Sequence, residues 1–244
     1  MTTAAVGVMI FTRPEADWKA VTTRAPDTPA KRPRGATMGM DSVAITDHGV
    51  MFGVIDFYRA AKAEGIHPVL GCEVYVAPGS RFDREVGSGD DRYYHLVLLA
   101  ENNQGYSNLM KIVSKAFVEG FYYKPRIDKE VLEKYHEGLV CCSACLAGEV
   151  SQSILKGDME EAERVATWFK NVFGEDYYLE IQNNGIKEQV LVNQKLIELS
   201  RKLNIELVAT NDSHYLRRED AYNHEILLCI QTGKKITDED RMKF

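Results

Sequence analysis

The sequence lacks a long hydrophobic run, a surplus of basic residues and a regular set of cysteines. No stretch approaches the roughly 18 apolar residues of a membrane helix, and no basic segment precedes the apolar residues Ala4 to Phe11, which argues against a secretion signal. Five cysteines at irregular spacing in 244 residues favour a reducing cytoplasm over disulfide bonds. We therefore expect a cytoplasmic protein that makes no contact with membranes.

A basic field is also missing, because the net charge is −6. Neutralisation of phosphates supplies most of the non-specific affinity of DNA-binding proteins, so a stand-alone binder of duplex DNA is excluded. If the chain works on nucleic acid, another domain must supply most of the grip.

Residues 1–37 differ in composition from the rest of the chain. They contain four of the seven prolines and no histidine, and Pro26, Pro29 and Pro33 interrupt any helical or alternating pattern. This composition predicts a poorly ordered segment, followed by one domain over residues 38–244. Ala5 to Phe11 is the one stretch apolar enough to insert as a strand, and we leave that possibility open.

From Met38 onward, short β-rich runs alternate with helical periodicity, which predicts parallel βαβ units in a barrel or a doubly wound sheet. The predicted strands are 42–46, 68–76, 94–100, 139–142, 177–182 and 206–210, and the predicted helices are 52–64, 103–119, 130–136, 158–173, 188–203 and 218–231.

Metal-binding residue types recur at the ends of these strands, where parallel α/β folds place functional side chains. Asp47 and His48 follow the first strand, Glu73 lies within the second, and Cys145, Asp212 and His214 follow later ones. His95 lies at the beginning of its strand, which the strand-end rule does not explain. Mixed histidine, carboxylate and thiolate donors suit Zn²⁺, or Mn²⁺ and Fe²⁺ where oxygen donors dominate.

Each of these residues alone has an ordinary structural interpretation. Asp47 could cap a helix, His95 could be a core histidine, and Cys141, Cys142 and Cys145 could be small buried apolar residues. His67, His136 and His224 fall outside the pattern and are interpreted as structural. It is the joint recurrence of donors that favours a metal site.

Two other motifs are less specific. Thr232-Gly-Lys-Lys235 lacks the upstream glycine of a phosphate-binding loop, so a helix C-cap followed by surface lysines is preferred. Phe121-Tyr-Tyr-Lys-Pro-Arg126 mixes aromatic and basic residues in the manner of single-strand binders. An exposed loop that packs its own aromatic rings is about equally plausible for this motif.

Together these motifs resemble the PHP domain of the bacterial DNA polymerase III alpha subunit, from about Met38 to Phe244. The segments that carry the resemblance are SVAITDHGVMFG (42–53), PVLGCEVYVAP (68–78), YHLVLLA (94–100), GYSNLMKIVS (105–114), SACLAGE (143–149) and ATNDSHY (209–215).

The resemblance implies a distorted seven-stranded (β/α) barrel, similar to a TIM barrel, with a multinuclear metal site. Its ligands would be His48, Glu73, His95, Cys145, Asp212 and His214. Some family members hydrolyse phosphoesters or act as 3′–5′ exonucleases, and others serve as a dock for a proofreading subunit.

The chain departs from this family in two places. The family's first strand carries His-x-His and is soon followed by an aspartate, whereas no histidine precedes His48 here, so the first strand is expected to be absent or substituted. The chain also ends where the polymerase palm would begin. We therefore expect no polymerisation by this chain, at most one divalent ion, most plausibly Zn²⁺ with Mn²⁺ or Fe²⁺ as alternatives, and negligible exonuclease activity.

Three functions remain open from the sequence. The preferred one is a part of a replicative DNA polymerase that meets DNA through the remainder of that enzyme. The second is a stand-alone PHP phosphatase for a small phosphate ester, although such an enzyme would be expected to keep the His-x-His strand. The third is a non-enzymatic dock, which should purify without stoichiometric metal.

Overall fold

The computed structural model describes residues 42–85, 92–215 and 217–241. The predictions of a poorly ordered segment over residues 1–37 and of a substitute strand at Ala5 to Phe11 lie outside the described residues. Residues 38–244 as one domain also remain an expectation.

The described chain alternates strands and helices over its whole length. The strands are β1 (Ser42–Ile45), β2 (His67–Val76), β3 (Tyr94–Ala100), β4 (Arg126–Ile127), β5 (Leu139–Cys142), β6 (Tyr177–Gln182) and β7 (Glu206–Thr210). The helices are α1 (Val54–Ala63), α2 (Asn103–Val118), α3 (Lys129–Tyr135), α4 (Glu149–Leu155), α5 (Met159–Phe173), α6 (Lys187–Leu203) and α7 (Ala221–Thr232).

The strands form one mixed sheet in the order β1-β2-β3-β5-β6-β7, with β4 beside the end of β2. Most neighbours are parallel, but β3 runs antiparallel to both β2 and β5. The expectation of parallel βαβ units throughout is therefore wrong at β3. In the described part of the chain no pairing joins β7 to β1, so the sheet is a curled half-barrel, and the predicted mixed α/β fold of a distorted PHP barrel is confirmed.

Helices α1, α2, α5 and α6 pack against the sheet through apolar faces. In α5 the buried residues are Ala162, Val165, Ala166, Phe169 and Phe173, spaced three or four apart as one helical face requires. The helix begins after Asp158, whose carboxylate accepts a hydrogen bond from the Glu161 backbone N–H at 2.9 Å. An N-cap of this kind satisfies a backbone donor at the helix end, which explains why the sequence located this start correctly.

Two elements were not predicted from the sequence. One is helix α4, of 7 residues, and the other is strand β4, whose 2 residues are too few for a periodicity to be recognised. At the other end of the chain, α7 ends at Thr232 with Gly233 in the left-handed region at φ +68°. This confirms the helix C-cap interpretation of the Thr232–Lys235 motif. No helix in the described ranges is both long and apolar enough to cross a membrane.

Candidate metal centre

His48 and Glu73 are brought together by the parallel pairing of β1 with β2. The chain leaving β1 continues alongside β2: the Glu73 backbone N–H donates to the Asp47 carbonyl at 3.1 Å, and the Gly49 N–H donates to the Glu73 carbonyl at 2.8 Å. This pairing fixes the register, so His48 lies opposite Glu73. A Cβ at Gly49 would lie 2.8 Å from the Tyr75 ring, and Gly49 has φ +68°, so the turn after His48 requires glycine.

His95 reaches the same place because β3 is antiparallel. Its position near the beginning of β3 faces the edge of the sheet at which the neighbouring parallel strands end. Register pairs His95 with Tyr75 on β2, and the His95 backbone N–H donates to the Ala147 carbonyl at 3.0 Å. The reversed direction of β3 therefore explains the one candidate that the strand-end rule could not place.

Cys145 lies in the loop between β5 and α4, which is folded tightly against β3. Ala144, immediately before it, has φ +62°, an uncommon conformation for a residue with a side chain. Gly148 closes the loop by donating its N–H to the Cys145 carbonyl at 3.0 Å. A Cβ at Gly148 would lie 2.1 Å from the Ser143 carbonyl oxygen, so the loop that presents Cys145 depends on this glycine.

Asp212 and His214 follow the C-terminal end of β7. Asp212 has φ +45°, and its backbone carbonyl lies 2.8 Å from Nδ1 of His214. This bond turns Nε2 of His214 toward the other histidines, because the two ring nitrogens lie on opposite sides of the ring. A non-glycine residue in the left-handed region stores strain of order 1–3 kcal/mol, a feature that clusters at functional sites.

The structure brings all six predicted residues into one continuous cluster. Oε1 of Glu73 lies 2.6 Å from Nδ1 of His95 and 2.8 Å from Nδ1 of His48. From His48 the cluster extends to His214, with 3.4 Å between their Nε2 atoms, and Asp212 lies beside that ring, 3.9 Å from Nδ1. Sγ of Cys145 lies 3.7 Å from Nδ1 of His95.

Negative charge dominates the electrostatics of this cluster. Burial opposes protonation of His48 and His95, but the Glu73 carboxylate outweighs it and raises the pKa of both rings. Although burial alone would raise the pKa of Glu73, the two imidazoles hold it well below the ordinary value. Burial, together with repulsion from Glu73, raises the pKa of Asp212. Two carboxylates in a largely buried place favour a cation as their partner.

Burial also determines the state of Cys145. It raises the pKa of the thiol, and the carboxylates of Glu73 and Asp212 raise it further. A thiolate at this position therefore needs a cation nearby, as a bound metal ion would provide.

The donor chemistry of the cluster thus fits a divalent ion, but its donors bond to one another. Glu73 uses a single oxygen for both imidazoles. Within residues 42–85, 92–215 and 217–241, no group of three or more histidine, cysteine, aspartate and glutamate side chains is arranged to hold one ion. An ion would replace the protons that the imidazoles share with Glu73, and the side chains would turn toward it.

Two buried acids near the cluster were missed or misinterpreted from the sequence. Glu180 on β6 is 4% exposed and accepts hydrogen bonds from the Thr210 hydroxyl at 2.5 Å and the Gln182 amide at 2.9 Å. Burial raises its pKa to about 7. Asp47 does not cap a described helix, because α1 begins at Val54 after Gly53, and burial raises the pKa of Asp47 to about 6.

The residues interpreted as structural are distributed differently. His67 is exposed, and His136 lies on the surface with Nδ1 2.8 Å from the Glu133 carbonyl. His224 is buried, and its ring centroid lies 5.7 Å from that of His214, so it supports the cluster from α7. Cys141 and Cys142 are fully buried in the core, and all five cysteines are free.

Comparison with known proteins places this geometry in a family. The family model described as "PHP domain" matches residues 33–184, more than half of the chain and four of the six clustered residues. The DNA polymerase III subunit alpha of Borreliella burgdorferi is 50% identical over 204 residues, which cover 84% of this chain. The corresponding subunits of Treponema pallidum and Thermus aquaticus are 49% and 47% identical over 85% and 83% of this chain.

These similarities are limited in coverage and in strength. The chain spans only 17–18% of the length of these three polymerase subunits. A solved structure from Bifidobacterium adolescentis, described as a metal-dependent phosphoesterase, is 11% identical over 75% of this chain. Its TM-score is 0.37, which is too low to indicate a shared function. The matched region and the curled sheet agree with the resemblance seen in the motifs, and the chain belongs to the PHP domain family.

Proposed function

We propose that this chain is the PHP module of a bacterial replicative DNA polymerase alpha subunit, and that its six-residue cluster binds one divalent ion. The observation that carries the proposal is a continuous series of side-chain contacts on four separate segments of the chain. His95 meets Glu73, Glu73 meets His48 and His48 meets His214, each within hydrogen-bonding distance. Similarity to polymerase alpha subunits over more than four fifths of the chain supports the first part.

Glu73, His95 and Cys145 would hold the ion, since His95 lies against both the Glu73 carboxylate and the Cys145 sulfur. One oxygen, one nitrogen and one sulfur donor with an open fourth position suit Zn²⁺ at a catalytic-type site, with Mn²⁺ or Fe²⁺ as alternatives. Such an ion polarises a phosphoryl group and lowers the pKa of bound water. His48, Asp212 and His214 line the same place and would orient a phosphate ester or a further ligand.

The surroundings of the cluster support a preorganised site. His48 is flanked by the backbone hydrogen bonds that Asp47 and Gly49 make with Glu73, and Asp212 lies in a left-handed turn whose carbonyl contacts His214. Ligands fixed in this way lose little entropy on binding. His224 packs against His214 from α7. The DNA contacts of the complete polymerase and the docking of a proofreading subunit belong to this proposal as well.

Metal analysis of the purified 244-residue chain tests the proposal. We expect close to one zinc ion per chain, bound through Glu73. The substitution Glu73→Gln should abolish binding, because an amide is a poor ligand for Zn²⁺ in place of a carboxylate. Glu180→Gln is the matched control, since both acids are 4% exposed, and it should keep the ion.

Three results would contradict the proposal in different ways. A folded chain that purifies without stoichiometric metal and takes up none on dialysis would favour the non-enzymatic dock. Equal metal loss in Glu73→Gln and Glu180→Gln would show that the ion is not held by Glu73. Rapid turnover of a small phosphate monoester by the unmodified chain would instead favour the stand-alone phosphatase.

A further inference from the structure

We propose that the loop 121–126, together with Arg92, is a binding platform for a single-stranded polynucleotide beside the six-residue cluster. The platform deepens the proposed function by naming its substrate class, but its binding does not require a metal ion. It rests on four features of the described residues: exposed rings, cations next to rings, a rigid anchor and contact with the cluster.

The loop exposes two aromatic rings that neighbouring side chains cover only in part. Tyr123 is 63% exposed and Phe121 is 51% exposed. Tyr123 has φ +60°, and its ring meets the Tyr122 ring edge-on at 4.7 Å. The backbone thus holds Tyr123 outward at some conformational cost. Exposed, oriented rings are what unpaired bases stack on.

Cations accompany these rings. The Arg92 guanidinium lies 4.3 Å from the centroid of the Tyr123 ring, and the Lys124 amine lies 5.3 Å from the centroid of the Tyr75 ring. In the described ranges neither cation forms an ion pair with a carboxylate. These cations leave their charge available to phosphate, and the exposed Tyr123 ring beside Arg92 offers a base-stacking surface next to a phosphate contact. The Tyr75 ring next to Lys124 is buried, at 5% exposed, and packs against that lysine from below.

A buried arginine fixes the loop. Arg126 is 0% exposed and donates to the backbone carbonyls of Asp83 at 2.5 Å and Gly120 at 3.3 Å. Its guanidinium also lies 5.0 Å from the centroid of the Tyr122 ring. Because several separate segments are tied to this one side chain, the loop is held before any ligand arrives, which lowers the entropic cost of binding.

The platform adjoins the cluster directly. The ring of Tyr75 lies 5.3 Å from that of His95, and a Cβ at Gly49 would lie 3.0 Å from Pro125. Charge on Lys124 is felt at His95, where it opposes the pull of Glu73. A strand stacked on Phe121 and Tyr123 would therefore place a phosphate near Lys124, on the side of the platform that adjoins the cluster.

The composition of the whole chain favours a single strand over other occupants. A duplex hides the faces of its bases and needs a basic field that a chain of charge −6 lacks. A small phosphate ester would occupy one ring only, whereas two exposed rings, Phe121 and Tyr123, lie two residues apart here. The platform would thus position a bound strand locally and contribute little to the overall affinity for DNA.

Fluorescence anisotropy with a labelled single-stranded oligothymidylate of about 12 nucleotides tests the platform. The experiment uses the 244-residue chain at low salt with a chelator present, so that metal binding has no part in the result. We expect Tyr123→Ala and Lys124→Gln each to weaken binding at least about five-fold. Tyr58→Ala and Lys62→Gln are matched controls, because Lys62 also lies over an exposed tyrosine, at 5.8 Å on α1, and they should bind as the unmodified chain does.

Cross-linking makes the test independent of affinity. An oligonucleotide that carries 5-iododeoxyuridine should cross-link within residues 121–126 after irradiation. The platform is wrong if the unmodified chain binds no oligothymidylate, if loop and control variants bind equally, or if a mononucleotide competes as well as the oligonucleotide. Metal content measured on the same variants should stay unchanged, so that failure of the platform is distinguishable from failure of the proposed metal site.

Discussion

At the scale of single residues, Glu73 is the centre of the cluster because one of its oxygens meets two imidazoles. The sequence placed Glu73 within a strand, and the resemblance assigned it as a ligand, but neither indicated that it would be shared. Sharing follows from side-chain geometry, since His48 and His95 reach it from the two strands that flank β2. Side-chain orientation of this kind is decided by packing and lies beyond any pattern of residue types.

Glu180 is a buried acid that no sequence pattern identified. It occupies the middle of β6, where alternation predicts only an inward or outward position. The side chain is buried only in the folded sheet, where β6 lies between β5 and β7. Hydrogen bonds from Thr210 and Gln182 partly satisfy the carboxyl group, but desolvation prevails and raises its pKa to about 7.

We expect Glu180 to make the free energy of unfolding depend on pH. Its folded-state pKa of about 7 lies above the ordinary value of 4.5, so the folded state binds the proton more tightly than the unfolded state. The stabilisation from Glu180 is complete below pH 4.5 and is lost as pH rises through 7, by about 3 kcal/mol. Glu180→Gln should make the pH dependence shallower, leaving the contributions of Asp47 and Asp212, whose pKa values are also raised. The variant should unfold at a higher urea concentration at pH 8.

Urea unfolding at pH 5 and pH 8 checks this prediction. Glu160→Gln, at an exposed position of α5, should unfold with the slope of the unmodified chain. An unchanged slope in Glu180→Gln would mean that Glu180 remains ionised in the folded state.

At the scale of elements, the direction of β3 decides the site. Alternation of strands and helices predicted parallel pairing throughout, because a helix between two strands is typical of a parallel crossover. No helix is described between β2 and β3, and the pair is antiparallel. Sequence periodicity carries no signal for strand direction, so the position of His95 could be assigned only by resemblance.

The loop between β5 and α4 offers a prediction at this scale. Gly148→Ala would place a Cβ 2.1 Å from the Ser143 carbonyl, which forces the Cys145 loop to move. Overpacking of this kind typically costs about 1–3 kcal/mol. Because Cys145 and His95 both contact this loop, we expect metal affinity to fall at least about ten-fold, a change that isothermal titration with Zn²⁺ would measure.

Gly105→Ala is the control for that prediction. Its Cβ would lie 1.7 Å from the Gly138 carbonyl, so it should also destabilise the chain, but at the start of α2 and away from the six donors. Stability lost in both variants with metal affinity lost only in Gly148→Ala would assign the effect to the loop. Equal affinity loss in both would show that metal binding merely follows global stability.

At the scale of the whole molecule, the sequence predicted which segments meet at the cluster better than it predicted how the strands pair. The six donors follow from strand ends and family motifs, and the structure brings them together. The curl of the sheet, the pairing of β4 with β2 and the support of His214 by His224 all depend on tertiary contacts between distant segments. Such contacts leave no local periodicity in the sequence, and their prediction needs the packed fold.

The metal count and the hydrolytic capacity of the molecule are linked. Hydrolysis of phosphodiesters by paired ions needs two ions about 4 Å apart, each with its own ligands, to stabilise the attacking and leaving oxygens together. Six donor residues, two of which share one carboxylate oxygen of Glu73, are enough for one well-held ion and too few for two. We therefore expect at most one tightly bound ion per chain and negligible 3′–5′ exonuclease activity.

Mass spectrometry under native conditions gives the metal count, and a 3′-labelled single strand incubated with Zn²⁺ or Mn²⁺ gives the activity. A strand bound to the loop 121–126 should remain intact. Without a second ion, nothing stabilises the oxygen of the leaving group even when the strand is correctly positioned. Adding a His-x-His segment ahead of β1 supplies the donors that a second ion would need and should raise both metal count and activity. Robust degradation by the unmodified chain, lost in Glu73→Gln, would show that one ion is sufficient here.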